Sequence, residues 1–385
     1  MGGGVTLQVA RPELGPEEAE AVARVLATGW VTQGPEVARF EAELAAFVGA
    51  PEAVATSSCT TALHLALLAV GVGPGDEVVC PSHSFIATAN AVRQCGATPV
   101  FADVDLDTFN LDPDDVARRV GPRTRALLVV HQLGLPCDLE ALLGLARARG
   151  LPVVEDAACA IGSEVLTERG WERIGRPHGD LACFSFHPRK LVTTGDGGAI
   201  TTRDPAVAAR LRRMRQHGMT VTDAERHKSA SVVFEAYEAP GFNYRLTDLQ
   251  AAVGRVQLGR LPAAIAHRRA LAGRYRERLH ASPEVACPVE PSWARTNWQS
   301  YCVRLTDRCA RGQREVMEAL LAAGVSTRRG VMCAHLEPAY AGAYEGLGRS
   351  ERARDRGLVL PLHGGMGPGD VDRVCDALLA AVRGG

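Results

Sequence analysis

A chain of 385 residues exceeds what one hydrophobic core usually serves, so two domains are expected, and a 46% hydrophobic content supplies their interiors. Forty-three basic residues against forty-four acidic ones leave a formal charge of -1, which argues against the basic footprint of a nucleic-acid binder. The eleven cysteines form no CxxC or CxC pair, so they indicate neither a zinc site, nor an iron–sulfur cluster, nor a secreted disulfide framework, and no metal is expected.

No apolar run reaches membrane-spanning length, and the N-terminus lacks the apolar core of a signal peptide. A cytoplasmic protein with reduced thiols and no membrane partner is therefore expected. The pattern from Met1-Gly2 to Thr6 matches N-myristoylation, but no polybasic stretch follows, and one acyl chain holds a membrane only marginally.

In chain order, residues 12–27 carry apolar positions at helical spacing (Ala19, Val22, Ala23, Leu26) and end at Gly29. A turn-rich connector, GWVTQGP, leads to a second amphipathic helix over 37–48. Strands and helices then alternate: strand 53–56, helix 60–70, strand 77–80, helix 85–94, strand 98–104, helix 113–120, strand 125–130, helix 139–149, strand 152–155, strand 181–186. Strands apolar throughout, alternating with helices, predict a mainly parallel sheet buried on both faces, an α/β fold. A helix over 248–261 and another over 264–279 follow. Beyond them come strands at 301–305 and 325–327 around a helix at 314–323, and a last helix at 371–382. The expected division is a large domain over 1–260 and a smaller C-terminal α/β domain over 261–385.

Ligands of such sheets bind beyond the carboxyl ends of the strands. There the sequence places Ser57, Ser58, Thr60 and Thr61; Ser82, His83, Ser84 and Phe85; His131; Asp156; and Ser185, His187 and Lys190. Thr60 and Thr61 suit either a helix cap or a phosphate seat. Phe85 suits either a core or a stacking platform. A buried carboxylate at Asp156 needs a cation or several donors.

Lysine occurs only at 190 and 228, in a chain that otherwise writes arginine. Lys190 reads either as a loop cation or as an amine that partial desolvation makes nucleophilic. GxxxxGK[ST], GxSxG and a strand-to-helix GxGxxG are all absent from the chain. A parallel sheet without those loops, but with a lysine, a carboxylate and a phosphate seat, points to pyridoxal phosphate.

VVEDAACAIGSE (153–164), FSFHPRKLVTTGDGGAITT (184–202) and PGFNYRLTDLQAAVGRVQL (240–258) resemble, in order and spacing, the DegT-type sugar aminotransferases. GWVTQGP, SSCTTALHLAL (57–67) and TRRGVMCAHLEPAY (327–340) extend the resemblance over nearly the whole length. It implies a fold-type I pyridoxal-phosphate enzyme in which Lys190 carries the cofactor as a Schiff base and moves the proton. Asp156 would pair with the ring nitrogen, Thr60, Thr61 and Ser185 would hold the phosphate, and Phe85 would stack on the ring. Asn243 would reach the cofactor of a second subunit in a homodimer with shared sites, and Arg245 and His335 would lie near substrate. Two departures stand out. Cys159 replaces a common Gln near the cofactor's phenolic oxygen and is a poorer donor, and a common Ser-Gly-Thr reads Ser58-Cys59-Thr60. Related dehydratases replace the lysine by histidine or add a cysteine-held cluster, so Lys190 and the scattered cysteines argue against both.

The resemblance implies transfer of an amino group from an amino acid, glutamate by analogy, through pyridoxamine phosphate to a keto sugar, a nucleotide-linked 4-keto hexose. The alternatives are a keto-cyclitol substrate and, of another class, a non-catalytic pyridoxal-phosphate-binding regulator. Retention of Lys190 and Asp156 weighs against the last.

Overall fold

The computed structural model describes residues 6–221, 226–227, 230–342 and 344–383. Lys228 and residues 1–5 of the myristoylation pattern lie outside the described residues. The apolar runs of the first half form β1 (Glu52–Thr56), β2 (Glu77–Pro81), β3 (Thr98–Ala102), β4 (Thr124–Val130), β5 (Val153–Asp156), β6 (Glu164–Thr167), β7 (Gly170–Arg173), β8 (Leu181–Ser185) and β9 (Gly198–Thr202). Seven make one sheet in the order β1-β9-β8-β5-β4-β2-β3. Its pairings are parallel except those of β9, which runs antiparallel to both β1 and β8.

Successive side chains of a strand point to opposite faces, and both faces here are apolar. Val54, Val78, Leu128, Val154 and Ile200 pack with Leu63 and Leu67 of the helix Cys59–Ala69. On the other face, Ala53, Val79, Leu127, Val153 and Phe184 meet Phe40 and Leu44 of the helix Pro35–Val48. Burial on both sides explains the unbroken apolar strands.

β9 reverses direction because the GDGG turn returns the chain beside β8, and its first residue must be small. A Cβ at Gly198 would stand 2.4 Å from the carbonyl carbon of Ser58 and 2.6 Å from the amide nitrogen of Cys59. Glycine thus lets the strand touch the start of the helix Cys59–Ala69. Gly198→Ala is expected to push that helix start outward and cost about 1–3 kcal/mol, as overpacking does. Urea unfolding of the variant measures the cost.

The second half adds β10 (Val285–Ala286), β11 (Ala294–Arg295), β12 (Tyr301–Leu305), β13 (Arg328–Arg329) and β14 (Gly357–Leu360). An antiparallel sheet β10-β12-β14-β13 packs on its own apolar cluster, which includes Tyr275, Tyr301, Leu320 and Leu378. β11 joins the β6–β7 hairpin, an element the sequence pattern did not show.

The two helices expected over 248–279 are one helix, Asp248–Leu279, with Pro262 inside it. An internal proline loses a hydrogen bond and costs about 3 kcal/mol. Here Leu258, Leu261 and Ile265 pack into the large core while Leu271, Ala272, Tyr275 and Leu279 pack into the small one, which holds the helix together across the proline. The strand expected at 325–327 is reduced to a bridge between Val325 and Leu7, with β13 just beyond. The N-terminal stretch packs with the C-terminal part: Leu7 N donates to Gly324 O at 2.9 Å, and Leu362 N to Val9 O at 3.1 Å. No helix among the described residues is long and apolar enough to cross a membrane.

Candidate active site

The carboxyl ends of β2, β4, β5 and β8, with the start of the helix after β1, surround a cavity of about 410 Å³. Thr60, Phe85, Asp156, Cys159, Ser185 and Lys190 all line it.

Lys190 follows β8 in a short turn closed by its amide on His187 O at 2.8 Å. Its Nζ donates to Cys159 Sγ at 2.9 Å. The expectation that desolvation favours the neutral amine is reversed in this arrangement. Burial does press the ammonium down, but the Cys159 sulfur beside it, with Cys59 and Asp156 behind, outweighs burial and holds its pKa above the usual lysine value.

Asp156 ends β5, 6% exposed. Its Oδ2 accepts from Thr88 Oγ1 at 3.0 Å and its Oδ1 from Ala158 N at 3.1 Å. Burial raises its pKa; the two donors, Lys190 and His131 resist only in part. No ion pair to Asp156 occurs among the described residues, so a buried carboxylate faces the cavity without a contacting cation.

The preceding residue, Glu155, points the other way and is fully enclosed. Its Oε1 accepts from the amides of His178 and Gly179 at 3.0 and 2.7 Å, and its Oε2 meets His131 Nε2 at 3.0 Å. His131 Nδ1 accepts from Cys137 N at 3.1 Å, so the ring proton sits on Nε2 and is directed at Glu155. Burial opposes the Glu155 charge, yet His131, His178 and the Gly179 amide hold its pKa below the ordinary 4.5. A carboxylate whose folded value is depressed lends stability above its unfolded value and loses it as pH falls through the folded value. Glu155→Ala is expected to destabilise the fold at neutral pH by about 3–5 kcal/mol, as removal of one buried partner does. That difference should shrink on acidification, and urea unfolding at pH 7 and pH 4 reads both effects.

At the helix Cys59–Ala69 the two threonines separate. Ser58 Oγ accepts from Thr61 N at 3.2 Å, and Thr61 Oγ1 donates back to Ser58 O at 2.8 Å, so Thr61 belongs to the cap. Thr60 lines the cavity. The amides of Cys59 and Thr60 have no acceptor among the described residues and form a ready anion seat. Phe85 is 56% exposed at the cavity, unusual for a bare aromatic ring and suited to stacking on a flat ligand.

The remaining candidates lie elsewhere. Asn243 is exposed, bridged to Gln216, and neither it nor the half-buried Arg245 lines the cavity of its own chain. His335 is buried with Nδ1 at 2.5 Å from Ser82 Oγ and Nε2 at 3.2 Å from Glu351 Oε1, behind the lining.

Residues from the C-terminal part complete the site, and sequence reading missed them. Gln299 accepts from Leu191 N at 3.1 Å and donates to Arg189 O at 2.7 Å, gripping the chain on both sides of Lys190. Asn297 Nδ2 donates to Cys159 O and Ile161 O, each at 2.9 Å. Arg189, Arg328 and Arg329 add exposed positive charge to the lining. Only NWQ at 297–299, three polar or aromatic residues ahead of a strand, hinted at this in the sequence. Thr88 was hidden within a helix.

Comparison with known proteins follows the same lines. Residues 12–379 match the DegT/DnrJ/EryC1/StrS aminotransferase family. GDP-perosamine synthase of Caulobacter vibrioides is 40% identical over 375 residues, covering 97% of each chain. The crystal structure of S. venezuelae DesV in complex with a ketimine intermediate is 39% identical, with a TM-score of 0.85 over 94% of this chain and 93% of that one. DesI, solved in the presence of its TDP-sugar product, is 36% identical, with a TM-score of 0.87 over 99% and 94%. The sheet order, the lysine and carboxylate at its carboxyl edge, and a match spanning nearly the whole chain lead to one assignment: this protein belongs to the DegT/DnrJ/EryC1/StrS aminotransferase family.

Proposed function

We propose that this aminotransferase uses pyridoxal 5'-phosphate to move an amino group from an amino acid, glutamate by family analogy, to a nucleotide-linked 4-keto hexose. One observation carries the cofactor: an amine, Lys190 Nζ, and a buried carboxylate without a contacting cation, Asp156, line one cavity beside open helix amides. These residues fit the group. Its phosphate suits the Cys59 and Thr60 amides with the Thr60 and Ser185 hydroxyls, its ring suits Phe85, and its protonated nitrogen supplies the cation Asp156 lacks. Thr61 serves the phosphate indirectly, by holding Ser58 and the helix start in place.

When bound, pyridoxal phosphate supplies an aldehyde that captures amines and a protonated ring that takes up the electron pair left by proton loss. The chain's residues do the rest. Asp156, with Thr88 orienting its Oδ2, holds the proton on the ring nitrogen. Lys190 Nζ binds the aldehyde and later accepts and returns a proton. Gln299 keeps the lysine's backbone from drifting, which matters because misplacement of about 1 Å costs about 10²-fold in rate. Cys159, where the resemblance predicts Gln, holds the Lys190 amine.

The nucleotide-linked substrate is supported by the names of two relatives, GDP-perosamine synthase and DesI with its TDP-sugar product, and by the arginines of the lining. A homodimer with shared sites is supported by apolar exposure in the stretch that leads to Asn243: Val232 is 84% exposed, Phe234 90% and Tyr237 60%. In that dimer Asn243 reaches the neighbour's cofactor, and Arg245 and His335 lie near substrate. The division into a large domain over 1–260 and a smaller one over 261–385 is supported by two apolar clusters along the helix Asp248–Leu279, although Leu261 and Ile265 still pack with the first.

Single-turnover mixing tests the reading. Protein loaded with pyridoxamine phosphate should aminate a nucleotide-linked 4-keto hexose at least tenfold faster than a keto-cyclitol. Preference for the cyclitol overturns the substrate assignment.

A further inference from the structure

Lys190 and Cys159 both line the cavity, and they are in contact: Nζ to Sγ is 2.9 Å. Both backbones are held by one short segment, Gln299 beside Lys190 and Asn297 on Cys159 O, so the contact is a feature of the frame. Cys159 is also the reachable thiol. It is half-buried at a cavity open to small molecules, whereas Cys59 and Cys183 are buried and their thiols are pushed well up by desolvation. All eleven cysteines are free in the structure, and Cys59, which lines the same cavity, is the thiol that could compete for an oxidised Cys159.

We propose that Cys159 and Lys190 form a reversible oxidative cross-link, a sulfur–nitrogen bond that consumes the catalytic amine whenever the cofactor is not attached to it. A peroxide supplies the oxidising equivalents. In the first step Cys159–SH reacts with H₂O₂ to give Cys159–SOH and water; the thiol is oxidised by two electrons and the peroxide reduced. In the second, the Lys190 ammonium releases one proton to solvent and its nitrogen lone pair attacks the sulfur. The S–N bond forms, the S–O bond breaks, and hydroxide leaves with a second amine proton as water. Two equivalents of a small thiol reverse the link, returning Cys159–SH and the amine and leaving one disulfide.

The state open to this reaction is the one with a free lysine: cofactor-free protein, and protein whose cofactor carries the amino group. The cross-link itself rests on Cys159 and Lys190 alone; its effect on activity rests on the role of Lys190 proposed above.

The experiment treats full-length cofactor-free protein with hydrogen peroxide, removes the peroxide with catalase, and reads mass before activity. The expected product is lighter by about 2 Da, with the peptides containing Cys159 and Lys190 joined and trypsin no longer cutting after residue 190. It fails to develop an imine absorbance with pyridoxal phosphate until dithiothreitol is added. Prior loading with pyridoxal phosphate should slow the reaction at least tenfold. Cys159→Ser should show neither mass loss nor peroxide-dependent loss of the imine band. Oxidation of Cys159 to sulfinic acid, or a Cys59–Cys159 disulfide with the same loss of about 2 Da, in either case with Lys190 still cleavable, overturns the proposal, as does loss of the band in Cys159→Ser at the wild-type rate. An untreated wild type with no imine band at all would instead overturn the assignment of Lys190, so the two failures are distinct.

Discussion

Lys190→Ala is expected to abolish the imine absorbance that pyridoxal phosphate produces with the wild-type protein and to lower turnover at least about 10⁴-fold. The magnitude follows from losing two contributions together. General acid–base transfer by a positioned group is worth about 10²–10⁴-fold, and covalent capture by the same nitrogen adds to it. No other described side chain can take over. Cys159 is the nucleophile in contact, and a thiol adduct does not absorb as an imine does; Lys228, the remaining lysine, lies outside the described residues. An intact imine band in Lys190→Ala sinks the assignment. The contact with Cys159 adds a pH expectation. With the Lys190 pKa held above its usual value by the neighbouring sulfur against burial, the free amine becomes scarcer as pH falls. Imine formation from cofactor-free protein should therefore slow toward lower pH, and replacing Cys159 by alanine should move that dependence to lower pH.

Asp156→Asn is expected to have the second largest effect, and to separate function from stability. With cofactor present, the buried carboxylate partners a buried cation. Its loss is expected to weaken pyridoxal-phosphate binding about 10²- to 10³-fold, or about 3–4 kcal/mol, and to lower turnover with it. Cofactor-free protein should respond in the opposite sense at neutral pH. Burial raises the Asp156 pKa above its ordinary 3.8, so the folded chain binds that proton more tightly than the unfolded one. Below about 3.8 both states are protonated and wild type and variant unfold alike. As pH rises through the raised folded value, the wild type acquires an unpaired buried charge that asparagine never carries. Calorimetry should find the cofactor-free variant the more heat-stable at pH 7, with the difference closing toward pH 4. A variant that binds cofactor as tightly as wild type removes Asp156 from the site.

The replacement at residue 159 changes how the departure from the family pattern is understood. Read from sequence, a cysteine there was a weaker donor toward the cofactor. In the fold its sulfur accepts from Lys190, so its main consequence falls on the lysine.

Local chemistry along the chain determines much of this protein. Uninterrupted apolar strands between helices meant a sheet with both faces covered, because each strand carries apolar side chains on both sides. Polar residues just past those strands meant a site at the carboxyl edge, since a strand's end is where the chain leaves the core. Lys190, Asp156, Thr60, Ser185 and Phe85 were legible for that reason. What depended on contacts between distant segments was not. Pro262 is a break signal in sequence, yet two cores on either side hold one helix through it. β9 reads like its neighbours but runs against them, because the segment from 186 to 197 forms turns and no crossover helix. Thr61 and Thr60 are equivalent in sequence, and only the cap geometry sends one to Ser58 and the other to the cavity. Gln299 and Asn297 lie more than a hundred residues from the loops they grip, and no spacing rule relates them. The charge state of Lys190 was decided the same way: burial could be inferred along the chain, but the sulfur that outweighs it is brought there by folding alone.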